Sequence, residues 1–310
     1  DMKHSDVASA VDETLQRSQV SIDMAQGVML NGPIQGGIFS DLRQKSATEM
    51  GKFDFSVHPI GGIVPVMEQH RYRDYAKIML STLPFLPSNR PVHMFGCGHP
   101  MLFPMSIALG ADLFDSAAYA LFARDGRILT PWGTEKLEGL HEWPITTPCI
   151  MSITPDDVKK LDKQKRMELL SKYNLEITLA ELARCRQAVR DGNIWRLVEQ
   201  RSHQHPALRD AFLWLTTNPV TADYIRLNKD DFPLDEITSS QELSNHGDFE
   251  DGWNWILDSQ LTPRKGGEQW AGTDTFSRPH IIAARNLLLD RWHRRTSGGL
   301  GEDSVMILYG

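Results

Sequence analysis

The chain has 310 residues, of which 41% are hydrophobic and 24% charged. That composition excludes a disordered polymer, and the length suffices for one large core or for one domain with an appendage. A formal net charge of −7 excludes a basic coat over the whole surface, so any contact with nucleic acid must use a local basic stripe.

Apolar residues at Val7, Val11, Leu15 and Ile22 fall close to helical spacing and predict a helix over Ser5 to Asp23, with Gly27 as its stop. A strand follows, ending before Gln35, then a helix around Leu42 to Met50 and a short strand from Phe53 to Ile60. A helix around Tyr72 to Leu80 leads to a strand over Val92 to Phe95. Next come a helix over Met101 to Leu109, the short apolar run Ala111 to Phe114, and a loop segment through Pro131. This alternation with short connections argues for parallel strands in βα units, in an open sheet or in a barrel. Beyond Thr154-Pro155-Asp156 the charged stretch Lys159 to Arg166 leads into Leu169 to Asn174 and a helix from Leu179 to Val189, read as a helical excursion. Residues 218–275, rich in Asp, Gly, Ser and Trp, read as a connector. A helix over Ile281 to Trp292 and a strand over Val305 to Tyr309 read as the start of an accessory domain within 276–310.

No apolar run approaches the roughly 20 residues of a membrane span, and the polar stretch Asp1 to Ala10 is unlike a secretory signal. Three scattered cysteines, Cys97, Cys149 and Cys185, are too few for a disulfide framework, which points to a reducing, cytoplasmic setting.

Three apolar runs end in glycine-rich turns or in a carboxylate: Leu30-Asn-Gly-Pro-Ile-Gln35-Gly-Gly, Val92-His-Met-Phe-Gly-Cys-Gly-His-Pro100 and Gly110-Ala-Asp-Leu-Phe-Asp115. Strand ends of this kind imply one shared pocket. Asp115, at a strand end, suits either a helix cap or a nucleophile. Asp112, three residues earlier, is placed by alternation on the opposite face and reads as structural. Gln35 carries a donor and an acceptor side by side, as the edge of a purine requires, although it also suits a turn. Gly61, Gly62, Gly96 and Gly98 would let backbone approach a flat ligand. Tyr119, Arg124 and Arg127 follow the Asp115 run, where arginines either hold phosphates or sit in solvent. His99 reads as a structural hydrogen-bonding residue. His203, His205, His280 and His293 lack partners at tight ligand spacing, and Trp253 and Trp255 read as core.

These runs, with Asp54-Phe-Ser-Val-His-Pro-Ile-Gly61-Gly-Ile-Val-Pro65, Arg71-Tyr-Arg-Asp74, Ala123-Arg-Asp-Gly-Arg127, Asn174-Leu175, Trp195-Arg-Leu-Val198 and His205-Pro206, resemble the queuine and archaeosine tRNA-guanine transglycosylases, closest to the archaeal type. The resemblance covers about two thirds of the chain, to near Leu215, with a fainter echo at Ser277-Arg-Pro279. It implies a (β/α)8 barrel over 1–217 whose reactive groups sit at the carboxyl ends of the strands. The family's first strands, with an Asp-Ser-Gly type loop and its acidic residue, have no counterpart before Asp1, so a barrel lacking its N-terminal strands is expected. A homodimer, or a partner chain supplying those strands, is one way to complete it.

The resemblance makes Asp115 the nucleophile, Gln35, Gly61, Gly62, Gly96 and Gly98 the base-binding residues, and Tyr119, Arg124 and Arg127 contacts to RNA. It implies tRNA and a 7-deazaguanine base as partners, in archaeosine formation. One region departs from the family. Its three-cysteine cluster and one histidine, a structural zinc site, are matched here by Ile145, Thr147, Ile150 and Tyr173, within a degenerate region at 143–175. No zinc, and no other cofactor, is therefore expected. That departure raises the alternative of a zinc-less paralogue of the archaeosine synthase type, and beside it a non-catalytic tRNA-binding subunit.

Overall fold

The computed structural model describes residues 2–25, 28–218 and 221. In chain order its elements are α1 (His4–Met24), α2 (Ser40–Met50), β1 (His58–Ile60), α3 (Val64–Glu68), α4 (Tyr72–Leu80), β2 (Val92–Met94), α5 (Phe103–Ala108), β3 (Leu113–Phe114) and α6 (Ala118–Arg124). They are followed by β4 (Arg127–Thr130), β5 (Gly133–Lys136), α7 (Pro155–Lys160), α8 (Lys163–Arg190), α9 (Ile194–Ser202) and α10 (Pro206–Thr217). Contacts divide the chain into two units, one of Asp1–Ala188 with Arg196–Leu213, the other of Val189–Trp195 with Trp214–Gly310. All that follows concerns the first.

β1, β2 and β3 pair in parallel and in chain order. Residues 31–34 add a fourth parallel segment through bridges from Asn31 to Val57 and from Ile34 to Ile60. The register aligns Ile34, Ile60, Met94 and Phe114 in one row. Alternation then sorts the side chains. Met94 is buried, and Phe114 meets Phe103 of α5 at 4.9 Å between ring centroids, so this face packs on helices. His93, Phe95, Leu113 and Asp115 occupy the other face. Among the described residues this sheet does not close into a barrel.

Two apolar cores support this frame. Ile34, Ala47, Met50 and Phe55 pack with Leu15 and Ile22 of α1, which explains that helix's apolar spacing. Tyr75 of α4 is fully buried, and its hydroxyl lies 2.7 Å from Ser106 Oγ of α5, tying the two helices together. The second core holds Ile128, Leu129, Ile150, Leu170, Tyr173 and Ile177, beneath the hairpin β4–β5 and against α8.

Two expectations are corrected. The segment after Asp115, expected to be a loop through Pro131, forms α6 and the first strand of an antiparallel hairpin. The charged stretch from Lys163 onward does not precede a shorter helix but belongs to one 28-residue helix, α8. Its charges fit because residues 163–165 are exposed, whereas Leu170, Tyr173, Asn174 and Ile177 are buried. The expected helix over 281–292 and strand over 305–309 lie outside the described residues, as does the 218–275 connector apart from Asn218 and Thr221.

Candidate active site

The four parallel segments end level with one another. The row Ile34, Ile60, Met94 and Phe114 is followed by Gln35, Gly61, Phe95 and Asp115, so all four stand at the carboxyl edge of the sheet. Gln35 and Asp115 are three strands apart, about 14 Å of sheet at normal strand spacing, with the turns at Gly61 and Gly96 between them. Phe95 leaves 54% of its surface exposed on this row.

Asp115 turns outward. Its side chain is 49% exposed, and Oδ1 accepts a hydrogen bond from the Gly96 amide at 2.8 Å and lies 2.9 Å from Nε2 of His93. Gly96 is required there. Its φ is +80°, and a Cβ would come within 2.7 Å of Val64 Cγ2, so any larger residue would move the amide away from Asp115. At Gly98 a Cβ would fall 1.9 Å from Ser116 Oγ, which itself accepts from the Ala118 amide. Gly98 thus makes room for the loop that carries Asp115. Asp112 accepts from the Val92 amide at 2.7 Å and ties β2 to the start of β3, the structural role expected of it.

Gln35 is exposed, and its backbone N–H donates to Ser46 Oγ of α2 at 3.1 Å. The loop around it is organised by a residue that sequence reasoning missed. Arg43 of α2 is fully buried, and its guanidinium donates to the carbonyls of Gly37 (2.8 Å), Ile34 (3.1 Å) and Gly61 (2.8 Å). One side chain therefore fixes the Gln35 turn to the Gly61–Gly62 turn. Burial lowers its pKa to about 10, which leaves it charged at neutral pH, and charge-assisted bonds to three carbonyls offset the loss of water.

Tyr119 lies on α6, partly exposed, and its carbonyl is held by Asn174 Nδ2 at 3.0 Å. Asn174 of α8 also accepts from the Leu129 amide at 2.7 Å and donates to the Arg127 carbonyl at 3.2 Å. Fully buried, it joins α6, β4 and α8. Arg127 is engaged within the protein, stacking over Phe122 at 4.6 Å and donating to Thr134 Oγ1. Arg124 instead opens, with Lys136, Lys163 and Arg166, onto a surface cleft of about 370 Å³ that also has Asp125 and Glu138 in its wall. Four cations against two carboxylates make it locally positive on an acidic chain. His99 accepts from the Met101 amide through Nδ1 at 3.2 Å, and burial, helped by Arg127, His70 and His205, lowers its pKa to about 4. It is a neutral cap, not an acid near neutral pH.

The residues at the family's zinc positions do not offer a zinc donor set. Tyr173 is fully buried and its hydroxyl donates to the Ile145 carbonyl at 3.1 Å, while its ring lies 5.1 Å from that of Trp143. Trp143 Nε1 donates to the Ile153 carbonyl at 2.8 Å. Ile150 is buried in the same core, with Ile145 and Cys149 packed against it. Thr147 Oγ1 lies 3.4 Å from Cys149 Sγ, the one thiol in the region, and burial raises that thiol's pKa. A single thiol biased toward its protonated form cannot replace three thiolates and an imidazole.

The sequence pattern of a family described as queuine tRNA-ribosyltransferase matches residues 1–207. Among curated proteins the chain is similar to a tRNA-guanine(15) transglycosylase of Methanocaldococcus jannaschii, 48% identical over 209 residues, 65% of this chain and 32% of the relative. Proteins of the same name from Methanococcus aeolicus (48% over 207 residues, 64% and 32%) and Thermococcus onnurineus (42% over 199 residues, 64% and 34%) are also similar. The match spans about a third of the length of each of these relatives.

Proposed function

Because the chain belongs to the queuine tRNA-ribosyltransferase family, we propose that it takes part in exchanging a D-loop guanine of tRNA for a 7-deazaguanine base of the archaeosine pathway. The exchange proceeds through a covalent bond between Asp115 and the ribose. The observation that carries this reading is the disposition of Asp115, half-exposed at the carboxyl edge of four parallel segments and on one row with Gln35. A carboxylate there can take the sugar carbon as the old base leaves and return it to the new one. Gln35 supplies the donor and acceptor for the purine edge, and Phe95 supplies an aromatic face on which a flipped-out base can stack. The four parallel segments support a (β/α)8 arrangement, in which the carboxyl edge is the reactive one.

The cleft lined by Arg124, Lys136, Lys163 and Arg166 is suited to RNA phosphates. α6 joins it to the Asp115 loop, and seven helical residues span about 10 Å, within a few nucleotides of the reacting base. Reversing the charges of Lys163 and Arg166 is expected to weaken tRNA binding at least about tenfold near physiological salt and to lower the slope of log affinity against log salt by about 1.5–2. A filter-binding series showing an unchanged slope would remove the cleft from the RNA path.

The apolar and hydroxyl groups at residues 145, 147, 150 and 173 support a region that folds without zinc. The same observation favours a second reading, a zinc-less paralogue of the archaeosine synthase type.

Incubating the whole protein with tRNA and labelled guanine tests the first reading. Incorporation is expected, with a loss of about a thousandfold or more in Asp115→Asn. No incorporation, or a variant indistinguishable from wild type, would refute it. The second reading predicts a mass change on tRNA that already carries the nitrile-bearing base; unchanged mass on that substrate counts against it.

A further inference from the structure

We propose that His93 is a positioning residue that sets the balance between forming and breaking the aspartyl–ribosyl bond, an inference that rests on the transglycosylase reading above. The two oxygens of Asp115 are unlike. Oδ1 accepts from the Gly96 amide and lies 2.9 Å from His93 Nε2, whereas Oδ2 meets no polar partner among the described residues. The register explains how His93 arrives there. β2 and β3 pair His93 with Leu113, so Asp115, two residues further on, is its diagonal neighbour on the same face. The imidazole is only 16% exposed and rests against the Phe95 ring at 5.5 Å between centroids. A confined ring on one oxygen leaves the other, Oδ2, as the attacking atom.

The two chemical steps load Oδ1 in opposite ways. In the first, Oδ2 bonds to ribose C1′ while the C1′–N9 bond to guanine breaks. The base departs with that electron pair and takes a proton from water. Asp115 loses its negative charge, and Oδ1 becomes the carbonyl oxygen of an ester. In the second step N9 of the incoming base gives its proton to water and bonds to C1′. The C1′–Oδ2 bond breaks, and its electron pair returns to the carboxylate. Charge on Oδ1 thus falls in the first step and rises in the second. A proton-bearing Nε2 beside it opposes the first step and assists the second, because only an interaction that strengthens toward the transition state accelerates a step. The Gly96 amide acts in the same sense but cannot be deleted by substitution, whereas His93 can.

The test uses the whole protein, an unmodified tRNA transcript and labelled guanine. Protein–RNA adduct is quantified on denaturing gels, its formation with tRNA alone and its decay after guanine is added. In His93→Phe the adduct is expected to form at the wild-type rate or faster and to decay about tenfold more slowly, the effect of losing one partly exposed charge-assisted interaction. In His93→Gln, whose amide reaches the place of Nε2, most of the decay rate returns. A residue that merely supported the fold would slow both steps together and would not separate Phe from Gln. Should His93→Phe fail to fold, His93→Asn, too short to reach Oδ1, takes its place with the same slow decay expected. If the wild type forms adduct and the variant releases it at the wild-type rate, the role of His93 is overturned and the transglycosylase reading stands. If the wild type forms no adduct, both fall.

Discussion

The row at the sheet edge and the core around Tyr173 have met opposite fates relative to the family pattern. At the edge, Gln35, Gly61 and Asp115, the residue types that the resemblance implies, stand in one register, with Gly96 one residue beyond it. Around Tyr173, at the four positions that the resemblance assigns to metal ligands, Ile145 and Ile150 pack in the core, Tyr173 bonds to a backbone carbonyl and Thr147 meets Cys149 Sγ. The difference follows from what each region must do. A reacting carboxylate has to be a particular atom in a particular place, and no apolar group can substitute for it. A structural metal contributes free energy of folding, which burial and a few hydrogen bonds can contribute in its stead.

The comparison is broken most severely at Arg43. Arg43→Met would take the guanidinium from the carbonyls of Ile34, Gly37 and Gly61, leaving Ile34 only the Gly61 amide, and a loss of about 4 kcal/mol is expected from these groups left partly unpaired. Arg43→Lys keeps the charge but cannot span three carbonyls at once, so an intermediate loss is expected. Urea melts measure both, and stability within 1 kcal/mol of wild type in Arg43→Met would show that the loops hold themselves.

The Tyr173 core can be tested from two sides. Tyr173→Ala should cost about 3–4 kcal/mol through the cavity it leaves, and Tyr173→Phe about 1 kcal/mol through the lost bond to Ile145. Prolonged chelator treatment of the purified protein should leave the melting temperature unchanged. A fall on chelation, or stoichiometric zinc by elemental analysis, would contradict the metal-free reading.

A further effect, confined to acid pH, concerns His99. Its folded pKa of about 4 lies below the ordinary histidine value, so the stability it allows is present above about pH 6.5 and is lost as pH falls through 4. The unfolded chain binds the proton first, and protonation removes the acceptor that caps Met101. His99→Asn keeps a capping acceptor without titrating, so its melts should show a shallower decline between pH 6.5 and 4, by about 1–2 kcal/mol. Parallel acid profiles for variant and wild type would refute this.

Much of the sheet edge was legible in the sequence because local patterning and position coincide there. The helix expected around Tyr72 to Leu80 is α4, and the strand ends before Gln35, Gly61 and Asp115 fall where apolar runs meet glycine or a carboxylate. The segment after Asp115 was not legible. α6 has only seven residues, too few to display a period, and β5, Gly-Thr-Glu-Lys, carries no apolar alternation. α8 was seen only in its second half, since exposed charge at its start resembles a solvated loop. Arg43 drew no reading from the sequence, because its role arises from three carbonyls contributed by two separate turns. For Asn174, part of the family motif, the sequence left unstated what it joins. His93 did leave a signal. It lies two residues before Phe95, on the face that the register shares with Asp115, but using that signal required knowing that the two strands are neighbours.

The central claim is that Asp115 bonds the ribose, and the most direct measurement is mass spectrometry of the protein–RNA adduct after denaturation and digestion. The expected result is a ribosyl-linked nucleotide on the peptide containing Asp115, absent from Asp115→Asn. An adduct mapped to another peptide, or exchange of base into tRNA by Asp115→Asn at the wild-type rate, would contradict it.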